Sequence, residues 1–378
     1  MKKINTACSL AVLILGCAAL LPGAWTSKQL SSNAGDSQYP AVAASGSTVY
    51  VVWEDKTPGN YEIYFRRSVD SGANWETAVR MCNTTVDSQK PDVAACGVHV
   101  YVVWHDATPG TNDIYFRHSA DRGATWQSAK RITFTAGHSV RPAVAAYGAS
   151  VYVTWADDTS GNYEIYFRRS GDNGATWNPV KRLTHNGGSS EYPAVAVSGA
   201  NVYILWSDDT PGNNEIYFRR SATWGTSWEA AQKLSASSGD TTEPTIAAPV
   251  GGSAVYIAGD SNYTGNKEIH FCSSGDNGAS WESVQRITNT SGASGYATLA
   301  CDGADVFLAW HDDTPGNYEV YYRNSTDGGA TWGTAKRLTS TANASGIPDI
   351  AVNAANVYAA YVEMNGSVGD IFMKYSPR

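Results

Sequence analysis

A motif of eight residues returns along this chain at a nearly constant interval, and that interval limits the fold more than any other feature. Ser68-Val-Asp70-Ser-Gly72-Ala-Asn-Trp75 recurs at residues 119–126, 170–177, 221–228, 274–281 and 325–332, its tryptophans 51, 51, 51, 53 and 51 residues apart. So steady a period means one supersecondary unit copied in tandem. Within a copy, Pro142-Ala-Val144-Ala-Ala reads as a short strand of small residues and Val151-Tyr-Val-Thr-Trp155 as a β-branched and aromatic one. Glu164-Ile-Tyr-Phe167-Arg-Arg follows as a third strand, and Lys181-Arg-Leu183-Thr184, after the motif, as a fourth. Turns such as Thr57-Pro-Gly-Asn60 join the second to the third, with Pro presetting φ and Gly accepting a positive one.

Four strands in about 50 residues is the size of a propeller blade, whose sheet buries both faces against its neighbours. The first three strands occur seven times, with opening strands read from Pro40, Pro91, Pro142, Pro193, Pro244, Ala297 and Pro348. The eight-residue motif and the fourth strand occur six times. Near the N-terminus, Lys28-Gln29-Leu30-Ser31 matches Lys181-Arg182-Leu183-Thr184 and leads into the same connection, Asp36-Ser-Gln-Tyr39-Pro40. The sequence therefore predicts an all-β, seven-bladed β-propeller of four-stranded antiparallel blades, closed by an N-terminal strand (27–31) that completes the last blade and removes its free edge. The expected blades cover 38–82, 89–133, 140–184, 191–235, 242–288, 294–339 and 346–378 plus 27–31, as one domain over 27–378.

Residues 1–26 read as an export signal: Lys2 and Lys3, then an apolar run ending near Leu21, too short to span a bilayer. Ile14-Leu-Gly-Cys17 fits a lipoprotein processing site, which would acylate Cys17, while a cut after Ala19 or Ala24 would release the chain. The expected location is thus secreted or cell-surface, with contact to a membrane only through that lipid anchor. Charged residues make up 16% of the chain at a net charge of −8, and the basic residues recur singly, which excludes a nucleic-acid partner. Cys82, Cys96, Cys272 and Cys301 match neither a disulfide framework nor a zinc site and are expected to be isolated buried thiols. His105, His138, His185 and His311 show no metal-ligand spacing, so no metal site is expected, and no cofactor, a structural cation being the one compatible addition.

In Ser170-Gly-Asp172-Asn-Gly174-Ala-Thr176-Trp177 a short carboxylate can accept from nearby backbone N–H groups and the Thr hydroxyl, while Trp177 plugs the interface between sheets. Asp70, Asp121, Asp172, Asp276 and Asp327 are accordingly read as structural staples, and the fourth copy replaces the aspartate with Thr223. A staple can be lost once from a ring; a catalytic acid could not.

These motifs resemble the BNR, or Asp-box, repeat family of sialidase-superfamily propellers, over essentially all of residues 28–376. The resemblance implies either a glycoside hydrolase or a non-catalytic lectin, with Asp boxes on the face opposite the ligand. It also implies, for catalytic sialidases, an Arg-Ile-Pro motif, an arginine triad, a Tyr/Glu pair and an aspartate acid/base. Here only Arg141-Pro142 approaches the first, and Arg66, Arg67, Arg168, Arg169, Arg219 and Arg220 repeat at one place in successive third strands rather than forming an asymmetric triad.

On the face away from the Asp boxes the sequence places Trp53, Trp104, Trp155, Trp206 and Trp310, read first as packing between blades. Asp55, Asp106, Asp157, Asp208 and Asp312 follow two residues on, as turn staples or as an acidic rim for sugar hydroxyls or a cation. Just before each first strand stand Tyr39, Lys90, Arg141, Tyr192, Glu243, Tyr296 and Ile347, and variation there on a repeating scaffold is what a binding surface looks like. The expected function is a monomeric, non-catalytic module that binds a glycan or cell-surface protein through several equivalent weak sites. A sialidase or other glycoside hydrolase is the alternative, which an enlargement of blade five around Pro249-Val-Gly-Gly252 would favour, and a cell-envelope assembly component is the third.

Overall fold

A computed structural model describes residues 24–378 except 33, 109, 236 and 237. The residues read as an export signal, with Cys17, therefore lie outside the described residues, apart from Ala24 to Thr26. The described residues form seven four-stranded antiparallel sheets. Blade one runs Ser37–Ser45, Thr48–Asp55, Glu62–Ser68 and Val79–Arg80, and the next five repeat this order. Blade seven consists of Ser345–Val352, Asn356–Asn365 and Val368–Pro377, with Thr26–Gln29 as its outer strand. Thr26 pairs with Tyr375 and Gln29 with Phe372, so the first strand of the chain closes the ring as its sequence match requires. Three boundaries differ from the sequence reading. First strands open at Ser37 and its equivalents, three residues before the prolines; the outer strands of the first six blades have only two paired residues each; and the donated strand is Thr26–Gln29 rather than 27–31.

The strands are apolar on both faces because both faces are covered. Every residue of Thr48–Asp55 is buried, and each hydrophobic cluster joins the side chains of adjacent blades. Phe65, Phe116, Phe167, Phe218 and Phe271 receive the Asp-box tryptophan of the next blade edge-on, with ring centroids 4.8–5.0 Å apart. At blade six the receiving ring is Tyr322, and Trp25 meets it edge-on at 5.1 Å. Blade seven has no Asp box of its own, so the residue just ahead of the N-terminal strand supplies the missing ring.

Third-strand arginines add polar stitches. Arg66 Nη1 donates to the Leu30 carbonyl at 2.7 Å, Arg117 to Met81 at 2.8 Å and Arg168 to Ile132 at 2.6 Å, each crossing to the preceding blade. Arg67, Arg169 and Arg220 reach forward to Asp-box carbonyls of the following blade. A guanidinium held in this way is structural. The Asp-box carboxylates are staples as read: Asp172 accepts from the Thr176 amide at 2.8 Å and from the Thr176 hydroxyl at 2.6 Å. These bonds, led by that from the Thr176 hydroxyl, hold Asp172 at about 2. All four described cysteines are free thiols, but only Cys272 is buried; Cys82, Cys96 and Cys301 are half-buried at blade edges, a correction to the uniform burial expected of them.

Removing residues 24–31 should lower the melting temperature by roughly 5 °C or more, since it exposes a sheet edge and the ring of Tyr322. Trp25→Ala alone should reproduce part of that loss, and equal melting of all three proteins by calorimetry would refute closure by the N-terminal strand.

Candidate functional site

Seven identical backbone irregularities build one cavity. In each first strand the register against the second slips, between Gln38 and Ala41 in blade one and at the same place in the other six. This is a β-bulge, a device that re-aims a side chain and interrupts the ladder. Its second residue is proline in six blades, and a residue without an N–H loses nothing where the ladder has no partner to offer. Its first residue lies in the left-handed region: Tyr39, Lys90, Arg141, Tyr192, Glu243, Tyr296 and Ile347 have φ of 48–53°. None is glycine, and such conformations store about 1–3 kcal/mol each. The surrounding ring imposes them.

All seven residues line a single axial cavity of about 420 Å³. Below them a second tier comprises Ala41, Asp92, Ala143, Thr245, Thr298 and Asp349. The turns joining first to second strands, and the Asp boxes, lie at the opposite ends of the strands, where the Ser71 amide bonds the Ser47 carbonyl. Pro249 to Gly252 belongs to that far face, with the Ser198 hydroxyl on the Pro249 carbonyl at 2.8 Å. The enlargement of blade five thus adds nothing to the cavity.

Around the mouth the groups are sorted by charge. Blades two and three supply the cations: Lys90 Nζ sits 2.7 Å from the centroid of the Tyr39 ring, and the Arg141 guanidinium 4.2 Å from that of Tyr192. Arg141 also ion-pairs with Glu191. Burial brings Lys90 down to about 8 against the opposing pull of the Glu54 carboxylate. Blade five supplies the acid. Burial, reinforced by Asp260, raises Glu243 to about 7, Lys267 and Lys90 acting the other way, and its Oε2 is buried without a hydrogen-bond partner. The Tyr296 hydroxyl lies against both Glu243 and Tyr39, and burial followed by the Glu243 charge raises it far above an ordinary phenol.

Behind the mouth is a layer that the sequence reading passed over. Glu54 Oε2 accepts the Lys90 amide at 2.7 Å, and the Nδ1 atoms of His105 and His311 lie 3.4 Å from the Arg141 and Ile347 amides. These residues occupy the middle of each Trp-x-Asp triplet, which varies as the mouth position does and could have been found by the same comparison of copies. In the floor, Asp92 Oδ2 accepts the Val144 amide and Asp349 Oδ2 the Val42 amide, each at 2.7 Å. Both are half-buried carboxylates stitching one blade to the next.

Tyr39, Lys90, Arg141, Tyr192, Glu243 and Tyr296 are therefore brought together in one cavity, rather than spread over the several equivalent sites expected from the sequence. Asp55, Asp106, Asp157, Asp208 and Asp312 are not. They are at most 2% exposed, with one oxygen on a serine such as Ser37, at 2.8 Å, and the other on a turn amide such as Thr57, at 2.8 Å. Their place as rim acids is corrected to turn staples. The five tryptophans before them are likewise buried, stacked on Tyr64, Tyr115, Tyr166, Tyr217 and Tyr321 at 5.9–6.1 Å. Among the described residues no group of three or more His, Cys, Asp or Glu side chains could hold a metal ion.

No family model matches the sequence, and no curated protein is similar to it at the sequence level. Solved structures are similar in fold. Polysaccharide lyase Uly1 superposes with a TM-score of 0.61 at 9% identity, over 89% of each chain. Hadza microbial sialidase Hz136 gives 0.53 at 16% identity, over 90% of this chain and 66% of its own, and Trypanosoma rangeli sialidase 0.55 at 11%, over 94% and 60%. The chain spans less than two thirds of either sialidase. With seven blades, an axial cavity and these neighbours, it has the fold of a sialidase-type β-propeller.

Proposed function

We propose that this chain is a carbohydrate-binding propeller that takes one sugar unit in its axial cavity. The observation that carries this is the convergence there of three tyrosines, two cations and a carboxyl group with one free oxygen on seven bulges. A volume of about 420 Å³ falls within the usual range for small-ligand sites. Rings stack on sugar faces, and the free Glu243 oxygen and the tyrosine hydroxyls bond sugar hydroxyls. Binding without hydrolysis is supported by the acids. Hydrolysis by a carboxylate pair needs two carboxyl groups about 5–10 Å apart in the cleft. Of the carboxylates that line the cavity, Asp92 and Asp349 are already committed to backbone amides, leaving Glu243.

A glycoside hydrolase is the second reading, and one contact favours it: Tyr296 beside Glu243 is a phenol next to a carboxylate, the pair through which a tyrosine nucleophile is activated. A glycan array run beside a panel of fluorogenic glycosides separates the two. Glycan retained without release of fluorophore supports binding alone; turnover that disappears in both Tyr296→Phe and Glu243→Gln establishes the hydrolase.

Because the site is single, Tyr192→Ala should weaken glycan binding roughly fivefold to tenfold, the equivalent of ~1–1.4 kcal/mol of ring contact, with little change in melting temperature. Full affinity in that variant would remove the cavity from consideration.

Glu243 also links stability to pH. Its folded value of about 7 exceeds the ordinary carboxylate value, so the unfolded chain loses this proton first as pH rises. Above pH 7 the fold must hold an anion it disfavours, and stability falls as pH climbs from the ordinary value through 7. Glu243→Gln should therefore melt higher than the parent at pH 8.5 and alike at pH 4.5; a constant difference across that range would show that Glu243 does not titrate as described.

A further inference from the structure

Blade five departs from the repeat at three positions, and the three share one wall. Where five other blades carry a tryptophan in the second strand, blade five has Gly259. The tyrosine on which each of those tryptophans stacks is replaced by His270, the cross-strand neighbour of Gly259. Two residues further, the arginine that crosses to the preceding blade is replaced by Cys272, on the same side of the strand. All three changes are from large to small. Together they remove an indole, much of a phenol ring and a guanidinium from the interface between blades four and five.

The φ of Gly259 is not in the left-handed region, but an added Cβ would lie only 3.2 Å from the Thr242 carbonyl oxygen, closer than ordinary van der Waals contact, and 3.8 Å from Pro244 Cα. What remains is a slot of about 50 Å³, walled by Ile216 and Leu234 of blade four and by Ile257, Gly259, His270 and Cys272 of blade five. Val284 also lines it and is 54% exposed, so part of its outer wall is a solvent-facing side chain.

Among the residues that line this space, Ser235, Thr241 and His270 are polar. His270 is 7% exposed, and its Nδ1 lies 3.1 Å from the Glu268 carbonyl oxygen, which can only accept. The proton is thus assigned to Nδ1, and Nε2 is a bare acceptor, buried without a partner. Burial keeps the imidazole below its ordinary pKa and so neutral at pH 7. A buried acceptor without a donor is rare in folded proteins, and an apolar hole beside it is the kind that takes up a ring.

We propose that this slot is a second binding site, separate from the axial cavity, for a planar aromatic ring bearing an N–H or O–H donor, of the indole or phenol kind. The ring takes the place of the tryptophan that blade five lacks, and its donor meets His270 Nε2.

Titration calorimetry and thermal melts of the whole chain with indole and phenol test this, with 1-methylindole and anisole as probes that lack the donor. The expected result is saturable binding of one ring per chain, with a melting temperature that rises with ligand concentration. The donor-less analogues should bind about fivefold to tenfold more weakly, the factor for one lost hydrogen bond. His270→Phe should abolish that preference while keeping the ring, and Gly259→Trp should abolish uptake. Should Gly259→Trp fail to fold, Val284→Trp blocks the outer wall without touching the sheet interior. Absence of saturable binding up to the solubility of indole and phenol, or binding unchanged in a folded blocking variant, would overturn the proposal.

Discussion

Everything in this molecule depends on the ring being closed. A blade buries both faces only if it has a neighbour on each side, and a row of seven has two ends with none. The short strand Thr26–Gln29 solves this by completing blade seven from the other end of the chain, and Trp25 fills the aromatic slot that the absent Asp box would have filled. Closure then sustains the strain of the interior. Seven residues other than glycine held at φ near 50° would relax in an open array; packed around an axis, each is held by the blades on either side.

That strain is also what makes a site. A bulge turns one side chain per blade toward the axis, so seven positions distant in sequence become neighbours in one cavity. The scaffold is the same in each, and the chemistry is set by what stands on it: rings on blades one, four and six, cations on two and three, an acid on five and an aliphatic side chain on seven. Low-dielectric surroundings then pull the charged groups toward neutrality, which brings Glu243 and Lys90 close to physiological pH. An ordinary set of side chains acquires its character from enclosure.

Copies that repeat also show where they fail to repeat. The variable residue before each first strand was legible as a surface because its neighbours did not vary, and the same comparison exposes the middle of the Trp-x-Asp triplet and the losses of blade five. The Asp series illustrates the opposite error. A carboxylate in a turn on the ligand face looks like a rim acid in sequence, yet Asp55 and its counterparts are enclosed because the serine that opens each first strand lies against them in the folded sheet.

The sequence by itself determined the blade, the count of seven, the donated strand and the variable residues that ring the mouth, because each follows from a period or a local pattern of strands and turns. It could not decide that those residues face one axis rather than seven separate clefts. That depends on the bulge, which no residue type announces, and on the curvature with which blades pack. Nor could it decide burial: whether an aspartate or a tryptophan meets solvent is settled by what its own folded sheet and the neighbouring blades lay over it, and that exists only in the closed ring.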